Sequence, residues 1–437
     1  LPSKFIQAKW LASSLCTGAW ERDAIVARFS RLLPPDGPEP VMLAARLRHI
    51  FYQDIAPKPA ALAAYLLDEP LLEPVFKAGI ISRLLLDPPV MGVRPDGISP
   101  LPLPVLPTVR DIGMWLCLSD EELRWFADTR FRQGKVTESR LHHYDYSWIP
   151  KRGCGSRLIE APKSRLKEIQ RLIVKDILSR IPPHYCAHGF TQGRSIKTFA
   201  APHLRQEAVL RFDLKDFFHS VHPSRIIALF HRLGYPQNAA RILQGLCLNA
   251  VSPPLAGREF QNLTWQQRRR LQDKHLPQGA PTSAPIANLC AWKLDCRLEG
   301  LAEFYGYAYT RYADDIAFSG PRSLAKRAKF IETLVGAIAQ EEGFSLNYRK
   351  TRLRLASQRQ KLAGVVVNER ANYSRGDWDR LKATLHNCIT QGTSSQNRDN
   401  HPDFRAHLRG RVAHVAWLNP ARGEKLQALF DKIVWEI

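Results

Sequence analysis

The stretch that decides the fold is Tyr305-Gly306-Tyr307-Ala308-Tyr309-Thr310-Arg311-Tyr312-Ala313-Asp314-Asp315-Ile316-Ala317-Phe318-Ser319. Tyr305 to Tyr309 and Ile316 to Ser319 read as two strands, joined at Arg311 to Asp315. Asp-Asp is a common turn dipeptide and carries little meaning alone. Its neighbours in the chain change that. Upstream, Val209 to Phe212 is a strand that ends at Asp213, and a helix is expected from about Pro285 to Leu298, with Gly300 after its end. Downstream, Leu324, Ala328, Ile331, Val335 and Ile338 alternate at spacings of four and three, predicting a helix over Ser323 to Glu342 that Gly343 stops. Leu362 to Val367 reads as a closing strand.

Strand, helix, hairpin, helix, strand is close to the split βαβ pattern of ferredoxin-like folds. In such a sheet the strand ending at Asp213 can lie beside the hairpin, so Asp213, Asp314 and Asp315 would meet at one edge. Arg311 is the only basic residue adjacent to the Asp314-Asp315 pair in sequence. Clustered carboxylates repel one another unless a divalent cation neutralises them. Hard oxygen ligands select Mg²⁺, and two ions about 4 Å apart suit an in-line displacement at phosphorus.

The motifs then resemble a known family. Tyr312-Ala313-Asp314-Asp315 resembles the YxDD box of reverse transcriptases, and Arg211-Phe212-Asp213-Leu214-Lys215-Asp216-Phe217-Phe218 their first catalytic motif. Leu276-Pro277-Gln278-Gly279-Ala280-Pro281-Thr282-Ser283 is similar to their third and Asn347-Tyr348-Arg349-Lys350-Thr351 to the fourth. All four stand in family order. Within the family the likeness is to bacterial retron-type enzymes, through Lys361 to Asn368, Arg380 to Asn387 and Leu408 to Trp435. Two elements depart from the retron pattern: the VTG triplet reads Leu362-Ala363-Gly364, and the NAxxH element falls on Phe199-Ala200-Ala201-Pro202-His203. Group II intron-like and other defence-associated reverse transcriptases stay open.

The resemblance implies an α+β fold: a right-hand polymerase with fingers, ferredoxin-like palm and helical thumb, plus a mainly helical N-terminal extension. The expected division is 1–90 extension, 91–108 proline-rich linker, 109–205 fingers, 206–370 palm with an insertion at 222–275, and 371–437 thumb. It implies RNA-directed DNA synthesis, copying a structured noncoding RNA that serves as template and primer and giving an RNA–DNA hybrid, with a role in phage defence. Asp213, Asp314 and Asp315 would be catalytic and hold two Mg²⁺ ions. Lys151 and Arg157 would grip the deoxynucleoside triphosphate, Phe218 would exclude a ribose 2′-hydroxyl, Gln278 and Gly279 would pack against the nucleotide, and Lys350 would stand near the leaving pyrophosphate. The other reading of Phe217 and Phe218 is two core aromatics.

Composition agrees with a polyanionic partner. The 437 residues carry 63 Lys and Arg against 41 Asp and Glu, a net charge of +22. Up to Val105 there are 11 basic and 10 acidic residues, so +21 falls on the remainder. Hydrophobic residues at 45% exclude a disordered chain. The eight cysteines form no CxxC pair and no Cys/His quartet has zinc-ligand spacing, so reduced thiols are expected. No apolar run approaches the roughly 18 residues of a membrane span, and the N-terminus lacks a signal-peptide layout, so a cytoplasmic protein is expected. A competing reading is an RNA-binding scaffold in which the polymerase fold is mainly structural and the near-neutral N-terminal extension docks an effector protein.

Overall fold

The computed structural model describes the chain except residues 1, 19, 53–55, 87–88, 98–99, 131, 134–135, 137, 151–154 and 436–437. It divides into two units, Leu1–Thr129 with Ile227–Gly245, and Arg130–Ile226 with Leu246–Ile437.

The first unit is helical. Helices Lys4–Leu15, Arg22–Leu32, Pro40–Ile50 and Pro59–Leu67 each bury a pair spaced one turn apart: Leu11/Leu15, Ile25/Phe29, Leu43/Leu47 and Leu62/Leu66. Pro40 and Pro59 open their helices, where a missing N–H is harmless. Capping boxes start the helices Val109–Leu116 (Thr108 with Asp111) and Asp120–Ala127 (Ser119 with Glu122). A Cβ on Gly245 would lie 2.2 Å from the Ala127 carbonyl oxygen, so the helix Gln237–Cys247 packs there only through glycine.

The second unit holds the sheet. A hairpin of β1 (Tyr144–Pro150) and β2 (Ser156–Pro162) precedes it. Four antiparallel strands follow: β3 (Ala208–Asp213), β4 (Ala308–Tyr312), β5 (Asp315–Gly320) and β6 (Arg352–Leu355), in the order β4-β5-β3-β6. Central β3 and β5 are buried along most of their length. On one face Phe212 meets Phe318 edge-on at 6.0 Å; Val209 and Ala317 join Phe199, Leu362 and Val365 in a second cluster. Each large apolar side chain so buried contributes about 1.5–3 kcal/mol. The helices Arg375–Gln391, Phe404–Leu418 and Pro420–Phe430 share a separate core of Leu381, Leu385, Val412, Val415, Leu426 and Phe430.

Several boundaries differ from expectation. The helix expected to end before Gly300 is two, Ser283–Cys290 and Trp292–Phe304. Gly306, at φ 69°, takes the left-handed position after the second, and the Tyr307 amide reaches back to the Ala302 carbonyl at 2.8 Å. The first hairpin strand therefore starts at Ala308, not Tyr305, and Asp315 lies in β5 rather than in the turn. The helix expected over Ser323 to Glu342 is interrupted at Arg327, giving Arg322–Lys326 and Ala328–Glu341. Leu362 to Val367 is not a sheet strand. Ala363 (φ 42°) and Gly364 (φ 93°) fold it into a small hairpin of β7 (Lys361–Leu362) and β8 (Val365–Val366). The strand beside β3 is instead β6, whose Arg-Leu-Arg-Leu alternation suits a half-exposed edge.

Candidate active site

Asp213 and Asp315 are cross-strand partners at the ends of β3 and β5, and Asp315 also pairs with Tyr312 of β4. Asp314 sits in the turn, beside Ala313 at φ 55°. The Leu214 amide donates to the Asp314 carbonyl at 2.8 Å, tying the turn to the end of β3. The three aspartates expected to meet do so. Burial first, then the charges of Asp315 and Asp213, push the Asp314 carboxyl up to about 6. Burial also raises Asp315, against the pull of Arg211.

Two cations answer this charge. Lys350 Nζ lies 2.9 Å from the Asp213 carboxylate, and Arg211 Nε donates to Asp315 Oδ1 at 3.0 Å. The Asn347 side chain adds a 3.2 Å bond to Asp213. Arg211 and Asn347 stand in the first and fourth motifs, but neither was expected to take a role at the site. The available signal was strand periodicity, which puts Arg211 on the same side of β3 as Asp213.

Arg311, expected as the neighbouring cation, faces elsewhere. It is fully buried and donates to both carboxylate oxygens of equally buried Asp295, at 2.7 and 2.6 Å. It also donates to Asn288 Oδ1 at 3.0 Å and to the Ala313 carbonyl at 3.1 Å. This pair braces the turn from behind. Gly189 packs against the same turn, where a Cβ would lie 2.5 Å from the Ala313 nitrogen.

Phe217 and Phe218 have separate surroundings. Phe217 is buried, stacked on Phe344 with ring centroids 5.7 Å apart. Phe218 is half-buried, and Phe190 stands 6.2 Å from it and 6.5 Å from Tyr312. Phe190, largely exposed at φ 56°, carried no sequence motif. Gln278 and Gly279 lie against β2: the Glu160 amide donates to the Gln278 carbonyl at 2.9 Å, and a Cβ on Gly279 would come within 2.9 Å of the Glu160 carbonyl oxygen. Arg157 is exposed on β2. Lys151 lies outside the described residues.

The divergent Phe199 to His203 element packs behind the sheet. Phe199 is buried, and His203 bridges Ser319 Oγ at 2.6 Å and Thr310 Oγ1 at 2.7 Å, tying the element to β5 and β4.

Comparison with known proteins identifies the family. The family described as "Reverse transcriptase (RNA-dependent DNA polymerase)" matches residues 149–367. The chain is 40% identical over 331 residues to the retron Mx65 reverse transcriptase of Myxococcus xanthus, covering 74% of this chain and 71% of that protein. It is 32% identical to the retron Mx162 reverse transcriptase of the same organism, covering 73% of this chain and 65% of the relative. It is 29% identical to the retron Ec86 reverse transcriptase of Escherichia coli, covering 76% and 91%. The chain belongs to the reverse transcriptase family, whose right-hand polymerase fold mixes helix and sheet. Its kind is the bacterial retron type, and it is an RNA-directed DNA polymerase. Among the described residues no helix is long and apolar enough to cross a membrane.

Proposed function

We propose that the chain copies a structured noncoding RNA into DNA at the Asp213–Asp314–Asp315 edge, leaving an RNA–DNA hybrid, in a cytoplasmic anti-phage role. The observation that carries this is the pairing of Asp213 with Asp315 across β3 and β5, with Asp314 in the adjoining turn. The strand order β4-β5-β3-β6 supports a ferredoxin-like palm, and the separate core of the last three helices supports a thumb.

Divalent metal fits the donor set. Three converging carboxylates, one pushed up to about 6 and two held by Lys350 and Arg211, form an oxygen-rich site with an unmet demand for positive charge. Asp213, Asp314 and Asp315 would hold two Mg²⁺ ions, which when bound supply Lewis acidity for nucleotidyl transfer. The chain's own groups do the rest. Phe218 places a ring under the incoming sugar and rejects a 2′-hydroxyl sterically. Arg157, with Lys151, binds the triphosphate through charge-assisted hydrogen bonds. Gln278 would pack against the incoming nucleotide, with Gly279 allowing the close approach of backbone there. Lys350, which lies 2.9 Å from Asp213, would stand near the leaving pyrophosphate as its proton donor. The near-neutral first quarter of the chain would meet an effector protein.

Primer extension on RNA with Mg²⁺ and deoxynucleotides tests this. Wild-type protein should extend, and Asp314→Asn should lose about a thousandfold or more in rate. Equal extension by the two proteins removes the aspartates from catalysis.

A further inference from the structure

Where β2 meets the Gln278–Gly279 segment lies a polar cluster with no part in the chemistry above. Glu160 of β2, His219 and His275 turn their donor atoms toward one another, all within 4.8 Å. His275 Nε2 lies 2.9 and 3.2 Å from the two Glu160 oxygens, and His219 Nε2 lies 3.9 Å from Glu160 Oε1. Glu160 and His275 are buried.

One feature distinguishes this cluster from an ordinary buried ion pair, and a second is compatible with metal ligation. His219 Nε2 is buried with no hydrogen-bond partner, a state proteins avoid. A protonated His275 bound to Glu160 would leave that nitrogen bare. The outer hydrogen bonds also suit ligation. His275 Nδ1 lies 2.7 Å from the Asp273 carbonyl, which can only accept, so Nδ1 carries its proton there and Nε2 faces the cluster. Glu160 Oε2 accepts from Asn249 Nδ2 at 2.7 Å, which orients the carboxylate and turns Oε1 toward the histidines.

The donors are two imidazole nitrogens and one carboxylate oxygen. That set suits zinc, whereas Mg²⁺ prefers all-oxygen sites such as the aspartate edge. Tetrahedral zinc with bonds of about 2.0–2.1 Å spaces its donors roughly 3.4 Å apart. The observed 2.9 and 3.9 Å bracket that spacing. We propose that Glu160, His219 and His275 bind one Zn²⁺ ion, with water in the fourth position, which pins together β2, the segment after Asp213 and the segment before Gln278. Its service to the nucleotide pocket rests on the function proposed above; the binding of zinc does not.

The test uses the full chain purified without chelators in saturating Mg²⁺. Zinc is measured by elemental analysis, and Co²⁺ is added to stripped protein to record its visible spectrum. His219→Ala is the informative variant, because His219 Nε2 makes no hydrogen bond whose loss would unfold the chain; circular dichroism checks its fold. Wild type should hold about one zinc per chain and give the intense bands of tetrahedral Co²⁺. His219→Ala should bind Co²⁺ at least about tenfold more weakly, while Asp314→Asn keeps wild-type zinc. No zinc and no saturable Co²⁺ spectrum in wild type would overturn the proposal. So would wild-type affinity in His219→Ala, or loss of zinc in Asp314→Asn, which would place the ion at the aspartates. Because zinc content is read without polymerisation, an inactive aspartate edge and an absent zinc site give different results.

Discussion

Replacing Asp314 by asparagine should stabilise the metal-free protein while abolishing its chemistry. The Asp314 carboxyl titrates near 3.8 when unfolded and at about 6 when folded, because burial and two neighbouring aspartates oppose its charge. The folded state therefore holds this proton more tightly than the unfolded state. Ionisation destabilises the fold, the penalty growing as pH rises from 3.8 and becoming complete above about 6. At 1.36 kcal/mol per pH unit the full penalty is about 3 kcal/mol. Asparagine is nearly isosteric and never ionises. In EDTA, Asp314→Asn should be more stable than wild type by about 3 kcal/mol at pH 8 and by roughly half that at pH 5. Urea unfolding followed by circular dichroism at the two pH values measures it. Adding Mg²⁺ should then raise the wild-type midpoint and move the variant less. A variant no more stable than wild type at pH 8, or a gain that does not shrink toward pH 5, would refute the reasoning.

Asp295→Asn should leave Arg311 charged and unpaired in the interior, destabilising the protein by about 3–5 kcal/mol in urea unfolding; a change below about 1 kcal/mol would show that the pair is not what braces the turn. Phe218→Ala should admit ribonucleotides in primer extension, whereas Phe217→Ala should lower stability by about 3–5 kcal/mol without altering sugar choice. RNA affinity should fall at least about a hundredfold between 50 and 200 mM salt as counterions are released, and a flat response would remove the basic remainder of the chain from RNA binding.

The acidic edge was legible because Asp213 ends one strand and Asp314-Asp315 marks the bend between two others, each with its own local signal. What failed was whatever depended on exact strand limits. Ending the first hairpin strand at Tyr309 left Arg311 in the joint beside the carboxylates; β4 runs on to Tyr312, so Arg311 lies inside the strand and turns to Asp295, a partner on a preceding helix. Strand β6 escaped notice because alternating Arg and Leu looks like surface until β3 is known to lie alongside. The breaks at Ala291 and Arg327 carry neither proline nor glycine, so no local residue announces them. The Glu160–His219–His275 cluster draws its donors from three distant segments, and a search for short Cys/His spacings is blind to it.

Asp315 is paired on both sides, with Asp213 in one strand and Tyr312 in the other. Chain length between Tyr312 and Asp315 is therefore a functional quantity in its own right. One residue more or fewer there would either slip β5 by one residue, exchanging its faces, or remake the turn that holds Asp314, and each outcome moves a carboxylate out of the edge even with every side chain conserved. The connection from Gly392 to Asp403, between two helices, has no such double constraint. Natural variation should thus lengthen and shorten the protein at that connection, while the four-residue joint varies by substitution alone.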